Sequence, residues 1–124
     1  MYQTNAYNTY AQNNIGVESP QKLIEMLYEG ILRFNTQAKR AIKEDNIEKR
    51  TYWINRSNAI FTELINSLDI KHGDVALYLG GLYNYQLRLL TKANLENQES
   101  YLDEINQVVR GLLEAWRDET HVAE

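Results

Sequence analysis

The sequence has no cysteine, a single proline, two histidines and two phenylalanines in 124 residues. Without cysteine there is no disulfide framework, zinc–thiolate site or thiol nucleophile, and the chain suits a reducing compartment. Basic charge is also scarce: thirteen Lys and Arg against seventeen Asp and Glu leave a net charge of −4, which argues against general binding to a phosphate backbone. No apolar run approaches the ~20 residues that span a bilayer. The opening MYQTNAYNTYAQNN has neither Lys nor Arg nor an apolar core, so it does not read as a signal peptide. These absences lead to an expectation of one cytoplasmic domain without membrane insertion or nucleic-acid binding, of a length able to bury one hydrophobic core.

Chemistry-bearing constellations are missing too. Di-iron bundles need paired Glu-x-x-His motifs, whereas here His72 and His121 stand alone and neither has Glu three positions back. There is no nucleophile elbow and no phosphate-binding glycine loop. Glu44-Asp45, Asp103-Glu104 and Asp118-Glu119 are sequence neighbours, so on a helix they point in different directions rather than converging on a cleft. The expectation is a protein with no catalytic residues, no metal and no cofactor.

What is present is helical periodicity. Ser19-Pro20 combines an N-cap acceptor with a proline at the first helical position, where its missing N–H costs nothing. Beyond it, Leu23, Ile24, Leu27, Tyr28, Ile31, Ala38 and Ile42 recur at spacings of three and four, one face of an amphipathic helix. That helix should stop near Glu44-Asp45-Asn46. A second runs from about Ile47 to Leu68 with Ile54, Phe61, Leu64, Ile65 and Leu68 inward. Asp69 to Asp74 reads as a connection, Gly73 turning and Asp74 capping. The third helix carries Val75, Leu79, Leu82, Tyr83, Leu90 and Ala93. After a polar break at Glu96-Asn97-Gln98, the fourth carries Leu102, Ile105, Val109, Leu112 and Trp116. Short links favour antiparallel neighbours, and nothing alternates as a strand would. The expected fold is all-α, an antiparallel four-helix bundle over residues 18–118, with a Tyr- and Asn-rich cap segment or short helix at 1–17 and a flexible tail at 119–124. The leading segment admits two readings: a frayed end or strap that packs its tyrosines on the bundle, or a mobile cap over an apolar surface until a partner arrives.

Apolar residues exceed one inner stripe. Met26, Phe34, Trp53, Ile60, Tyr78, Tyr85 and Leu89 form a second edge, either a wide core stripe or an exposed surface for a partner helix. Nine tyrosines against two phenylalanines suit surfaces that alternate between wet and covered. Gly80-Gly81, inside the third helix, costs about 2 kcal/mol relative to alanines. Its compensation is either a tight crossing inside the bundle or a shallow floor on which a partner helix lies.

Ser19-Pro20-x-x-Leu23-Ile24-x-Met26-Leu27-Tyr28-Glu29-Gly30 resembles the hallmark segment of the flagellar export chaperone family FliS. The resemblance includes Tyr7 and Tyr10 and continues in order through Glu63-Leu64-x-x-Ser67-Leu68-Asp69, Leu82-Tyr83, Leu90-x-x-Ala93-Asn94 and Leu112-Leu113-x-Ala115-Trp116. Gly80-Gly81 and Asn84-Tyr85-Gln86 depart from the commoner pattern. The resemblance implies a bacterial cytoplasmic chaperone that binds the C-terminal segment of flagellin, prevents premature polymerisation and delivers it to the flagellar export gate protein. It further implies an N-terminal segment that covers part of the client surface, with Tyr7 and Tyr10 acting in the cap and the gate contact. The expected apolar groove is Leu23, Ile24, Tyr28, Leu79, Leu82 and Tyr83, while Leu27, Leu64 and Leu90 are assigned to the core. Two other readings stay open: a bundle that associates with itself, and an adaptor for another flagellar protein, a co-chaperone or a regulator.

Overall fold

Ser19 is extended and its hydroxyl accepts the backbone N–H of Lys22 at 3.1 Å, so the first helix starts where capping chemistry places it. The computed structural model describes residues 19–69, 71 and 73–122, and among them there are four helices: α1 (Pro20–Lys43), α2 (Ile47–Asn66), α3 (Asp74–Glu96) and α4 (Glu99–Val122). The expectations for residues 1–17, for Ile70 and for His72 lie outside the described residues.

The joints are built by local hydrogen bonds. α1 closes with Asp45 N–H on the Ile42 carbonyl (3.1 Å) and Asn46 N–H on the Ala41 carbonyl (2.9 Å), the paired closure of a Schellman motif. Asp45 takes the left-handed position at φ 53°, where glycine is more usual. Asn46 then caps α2 by accepting Lys49 N–H at 3.0 Å. One three-residue link therefore ends one helix and starts the next. Before α3, Gly73 sits at φ 71°, ψ −134°, a region open essentially to glycine alone. It occupies the cap position that the sequence suggested for Asp74; Asp74 is already helical, and α3 begins with no side-chain cap. Asn97, left-handed at φ 54°, breaks α3 from α4.

Each helix packs on the one before and the one after it, and α4 closes against α1. Contacts between the ends fix the directions. Trp116 Nε1–H, late in α4, donates to the Gln21 carbonyl (2.8 Å) at the start of α1, and Lys43 meets Glu99 at their other ends. Arg50, early in α2, donates to Asn94 and Asn97 Oδ1 at 2.8 Å each at the end of α3. The bundle is antiparallel, and its helices of 20 to 24 residues are roughly 30–36 Å long.

The core contains Leu27, Ile31, Ile54, Phe61, Leu64, Leu90, Leu102, Ile105 and Val109, including the three residues assigned there. Two members of the second apolar edge, Ile60 and Leu89, are also buried. Val75, expected on the inner stripe, is 67% exposed, and Ala76 is buried in its place. The inner phase of α3 runs through Leu79, Tyr83, Gln86, Leu90 and Ala93, which rotates Val75 outward. In α4, Leu113 is buried while Leu112 and Trp116 are only partly covered. α4 remains helical to Val122, into the segment expected as a tail.

A polar layer crosses the middle of this core. Asn35, Ser57, Gln86 and Asn106, one from each helix, are all essentially inaccessible. Asn35 Nδ2–H donates to Asn106 Oδ1 at 2.9 Å, and the Ser57 hydroxyl donates to Asn35 Oδ1. Gln86 Nε2–H donates to the Leu82 carbonyl at 3.1 Å, while its Oε1 has no hydrogen-bond partner among the described residues. Such groups are costly unless paired, so the layer favours the one register in which Asn35 meets both neighbours.

Candidate functional site

α3 presents more apolar surface than its neighbours cover. Leu77, Gly80, Gly81 and Asn84 stand at i, i+3, i+4 and i+7, one helical face. With Ala76 and with Ile65, Asn66 and Leu68 at the end of α2, they line an open groove of about 440 Å³. A Cβ added at Gly81 would meet nothing within 4 Å, and one at Gly80 would make only an ordinary contact, 3.6 Å from Leu68 Cδ1. The glycine pair is therefore the floor of an open groove and not a tight crossing. The close crossing is at Gly30, where an added Cβ would come within 2.9 Å of Ile60 Cδ1.

A second outward row lies on the α4 side of α3: Val75, Tyr78, Leu82 and Tyr85, the last donating to Glu104 of α4 at 3.5 Å. Leu77 and Tyr78 are 64% and 68% exposed. The two rows leave a broad apolar strip along the first three turns of α3, with nothing among the described residues packed over it. Isolated exposed leucines are ordinary, but contiguous apolar patches mark contact surfaces.

The residues expected to form the groove fall into separate places. Leu23, Tyr28 and Tyr83 are core residues at 2–4% exposure. Tyr28 and Tyr83 meet hydroxyl to hydroxyl at 2.6 Å across the bundle, and the Tyr83 ring lies against Phe61 with centroids 6.1 Å apart. Burial pushes both phenols above the ordinary tyrosine range, and for Tyr83 the neighbouring Tyr28 adds to it. The pair is thus a neutral, buried hydrogen bond. Ile24 and Leu79 are partly buried against the core. Leu82 is half-buried in the outward row. Tyr7 and Tyr10 lie outside the described residues. The groove residues that sequence reasoning passed over, Leu77 and Asn84, share a face with Gly80-Gly81; the glycine pair was the signal for them.

The opposite side of α1 is pinned rather than open. Arg117 of α4 donates to Glu25 (2.9 Å) and Glu29 (3.0 Å), and Lys22 donates to Glu25 at 2.7 Å. Lys22 and Arg117 together hold the Glu25 carboxyl below its usual range. Among the described residues no cluster of His, Cys, Asp or Glu is arranged to hold a metal ion, and no helix is long and apolar enough to cross a membrane. The grooved face offers apolar contact and backbone proximity.

Comparison with known proteins shows the family. The family described as "Flagellar protein FliS" matches residues 3–122. The chain is similar to the flagellar secretion chaperone FliS of Campylobacter jejuni, with 60% identity over 91% of this chain and 89% of the relative. It is 31% identical to the protein of that name from Bacillus subtilis, over 91% of this chain and 84% of the relative. For the Escherichia coli protein the figures are 32%, 95% and 91%.

Proposed function

The chain belongs to the FliS family, and from that premise we propose that it is a flagellar secretion chaperone whose client is the C-terminal segment of flagellin. The observation that carries this reading is the open apolar strip on α3, floored by Gly80 and Gly81 and flanked by Val75, Leu77 and Tyr78. A filament subunit's terminal helix is amphipathic and self-associates when free, so its chaperone must cover an apolar face reversibly. Helix-in-groove recognition does this, and missing side chains in the floor let a client backbone approach closely. No bond needs to be made or broken, and the reading requires neither catalytic group nor cofactor.

In this reading Leu82 meets the client directly, from the outward row beside the groove. Leu79, on the same helix, borders the apolar surface; Leu23, Tyr28 and Tyr83 contribute from the core, and Ile24 from the core's edge on α1. Tyr7 and Tyr10 belong to a segment that covers the client surface and then contacts the export gate protein. The setting is the cytoplasm, before export.

Titration calorimetry with the C-terminal flagellin segment of the same organism tests this. The expected result is saturable one-to-one binding with a strongly negative heat-capacity change, the mark of apolar burial by an ordering client. Leu82→Asp should weaken binding while helical content stays native. Absence of a complex, together with a mass that rises with concentration, would overturn the reading in favour of a self-associating bundle.

A further inference from the structure

A second groove, on the α1/α2 side, has a different character. Met26, Leu27, Gly30 and Phe34 of α1 face Ala59 and Ile60 of α2 around a hollow of about 390 Å³, with Arg33 and Arg56 on its two walls. Its floor is the close crossing at Gly30, where α1 and α2 approach too closely for a side chain.

The two arginines are held by aromatic rings. The Arg56 guanidinium carbon lies 4.8 Å from the Phe34 centroid and 5.6 Å from that of Tyr52, and its Nη1–H donates to the Tyr52 hydroxyl at 3.3 Å. Arg33 lies 5.8 Å from the same Phe34 ring. Phe34 stacks on Trp53, which in turn meets the edge of Tyr52. Among the described residues neither arginine pairs with a carboxylate, a state they share with Arg40, Arg50, Arg88 and Arg110; what sets Arg33 and Arg56 apart is that they flank one apolar hollow. A net-acidic chain thus presents two preorganised, unneutralised guanidinium groups on either side of an apolar hollow. Guanidinium groups fixed on rings lose little freedom when they form bidentate bonds to carboxylates.

We propose that this α1/α2 groove is a second docking site, for an acidic amphipathic helix of a partner protein. An aliphatic side chain from the partner's apolar stripe fills the hollow over Gly30, and flanking Asp or Glu side chains pair with Arg33 and Arg56. Charge complementarity selects this occupant. A nucleic acid needs an extended basic track, and two arginines over an aliphatic floor are not one. The site is separate from the α3 strip and does not depend on what that strip binds, so the bundle is able to hold two helical partners at once.

The test uses the full chain and two labelled synthetic helices of about 18 residues, five turns, one with a leucine stripe flanked by glutamates and one flanked by lysines. The glutamate peptide is expected to bind, with amide shifts at residues 26–34 and 52–60, and to be released at about 1 M salt, where the screening length falls to about 3 Å. Arg33→Glu/Arg56→Glu should weaken it at least about tenfold, the size expected for reversing two interfacial charges. Arg33→Gln/Arg56→Gln serves if the reversed pair perturbs folding, read by helical content. Binding of the flagellin segment should be unchanged in either variant. Any of four results would overturn the proposal: equal binding of the lysine peptide, amide shifts confined to the α3 strip, displacement by a single-stranded thymidine oligonucleotide, or a dimer that the arginine variants dissolve. Loss of flagellin binding in the arginine variants would show that both grooves serve one client, which overturns the second site and leaves the chaperone reading intact.

Discussion

Replacing Gly80 and Gly81 together by alanine separates folding from client binding in one experiment. Both glycines are inside α3, and neither has a positive φ, so alanine fits the backbone. The new methyl at Gly81 enters open space, and the one at Gly80 reaches ordinary contact with Leu68. Nothing offsets the gain in helix propensity, about 1 kcal/mol per site, or about 2 kcal/mol for the pair. For 124 residues the unfolding entropy is roughly 0.26 kcal/mol per kelvin, so Tm should rise by about 8 °C. The same two methyl groups raise the groove floor, and a client backbone seated there must withdraw. Flagellin-segment affinity should fall about tenfold, or about 1.4 kcal/mol. Thermal melts followed by circular dichroism give the first quantity and calorimetry the second. An unchanged or lower Tm would refute the open floor. A raised Tm with undiminished affinity would refute the floor as the client's seat, whatever else the protein binds.

Three further outcomes follow from the core and its edges. Asn35→Ala deprives the Ser57 hydroxyl and Asn106 Oδ1 of their partner in a layer closed to solvent, and urea titration should show a loss of about 2–4 kcal/mol; a loss below about 1 kcal/mol would mean that water reaches the layer. Burial holds the Tyr28 and Tyr83 phenols above the ordinary tyrosine range in the folded state, Tyr83 strongly so, whereas the unfolded chain releases both protons near pH 10. Stability is therefore insensitive to these groups below about pH 10 and falls above it, by up to about 1.4 kcal/mol per pH unit for each tyrosine; denaturant midpoints through the alkaline range test this, and Tyr83→Phe should flatten the slope. Glu25 is shifted the opposite way by Lys22 and Arg117, so its contribution is present above its ordinary pKa and fades as pH falls through the lowered folded value. Arg117→Ala, at a half-exposed pair, should cost no more than about 1 kcal/mol near neutral pH and shrink the difference between neutral and acidic stability.

Much of the bundle was legible from the chain alone because its determinants are local. Ser19-Pro20, Asn46, Gly73 and Asn97 mark helix ends through bonds that span three to five residues or through a φ that only certain residues adopt readily, and a sequence carries that information directly. The repeat of apolar residues at three and four likewise determined which helices exist, that they pack together, and that Leu27, Leu64 and Leu90 lie inside. The order of motifs pointed to the family.

Which residues are buried and which line an open groove was decided only by the tertiary structure. Leu23, Tyr28 and Tyr83 differ in nothing local from residues that line a groove; all three are buried in the core, Tyr28 and Tyr83 against each other and Tyr83 against the ring of Phe61. Gly30 and Gly80-Gly81 look alike as helical glycines, yet a side chain at Gly30 would collide with Ile60, one at Gly80 would only touch Leu68, and one at Gly81 would meet open space. The polar layer was invisible for a related reason. Asn35, Ser57, Gln86 and Asn106 interrupt the apolar stripe like solvent-facing residues, and only the side-by-side packing of the helices buries all four and brings Asn35 to Ser57 and Asn106. Periodicity sets a helix face to within about one residue, roughly 100° of arc. Neighbouring helices set the rotation within that arc, and the division between buried core and open groove falls inside it.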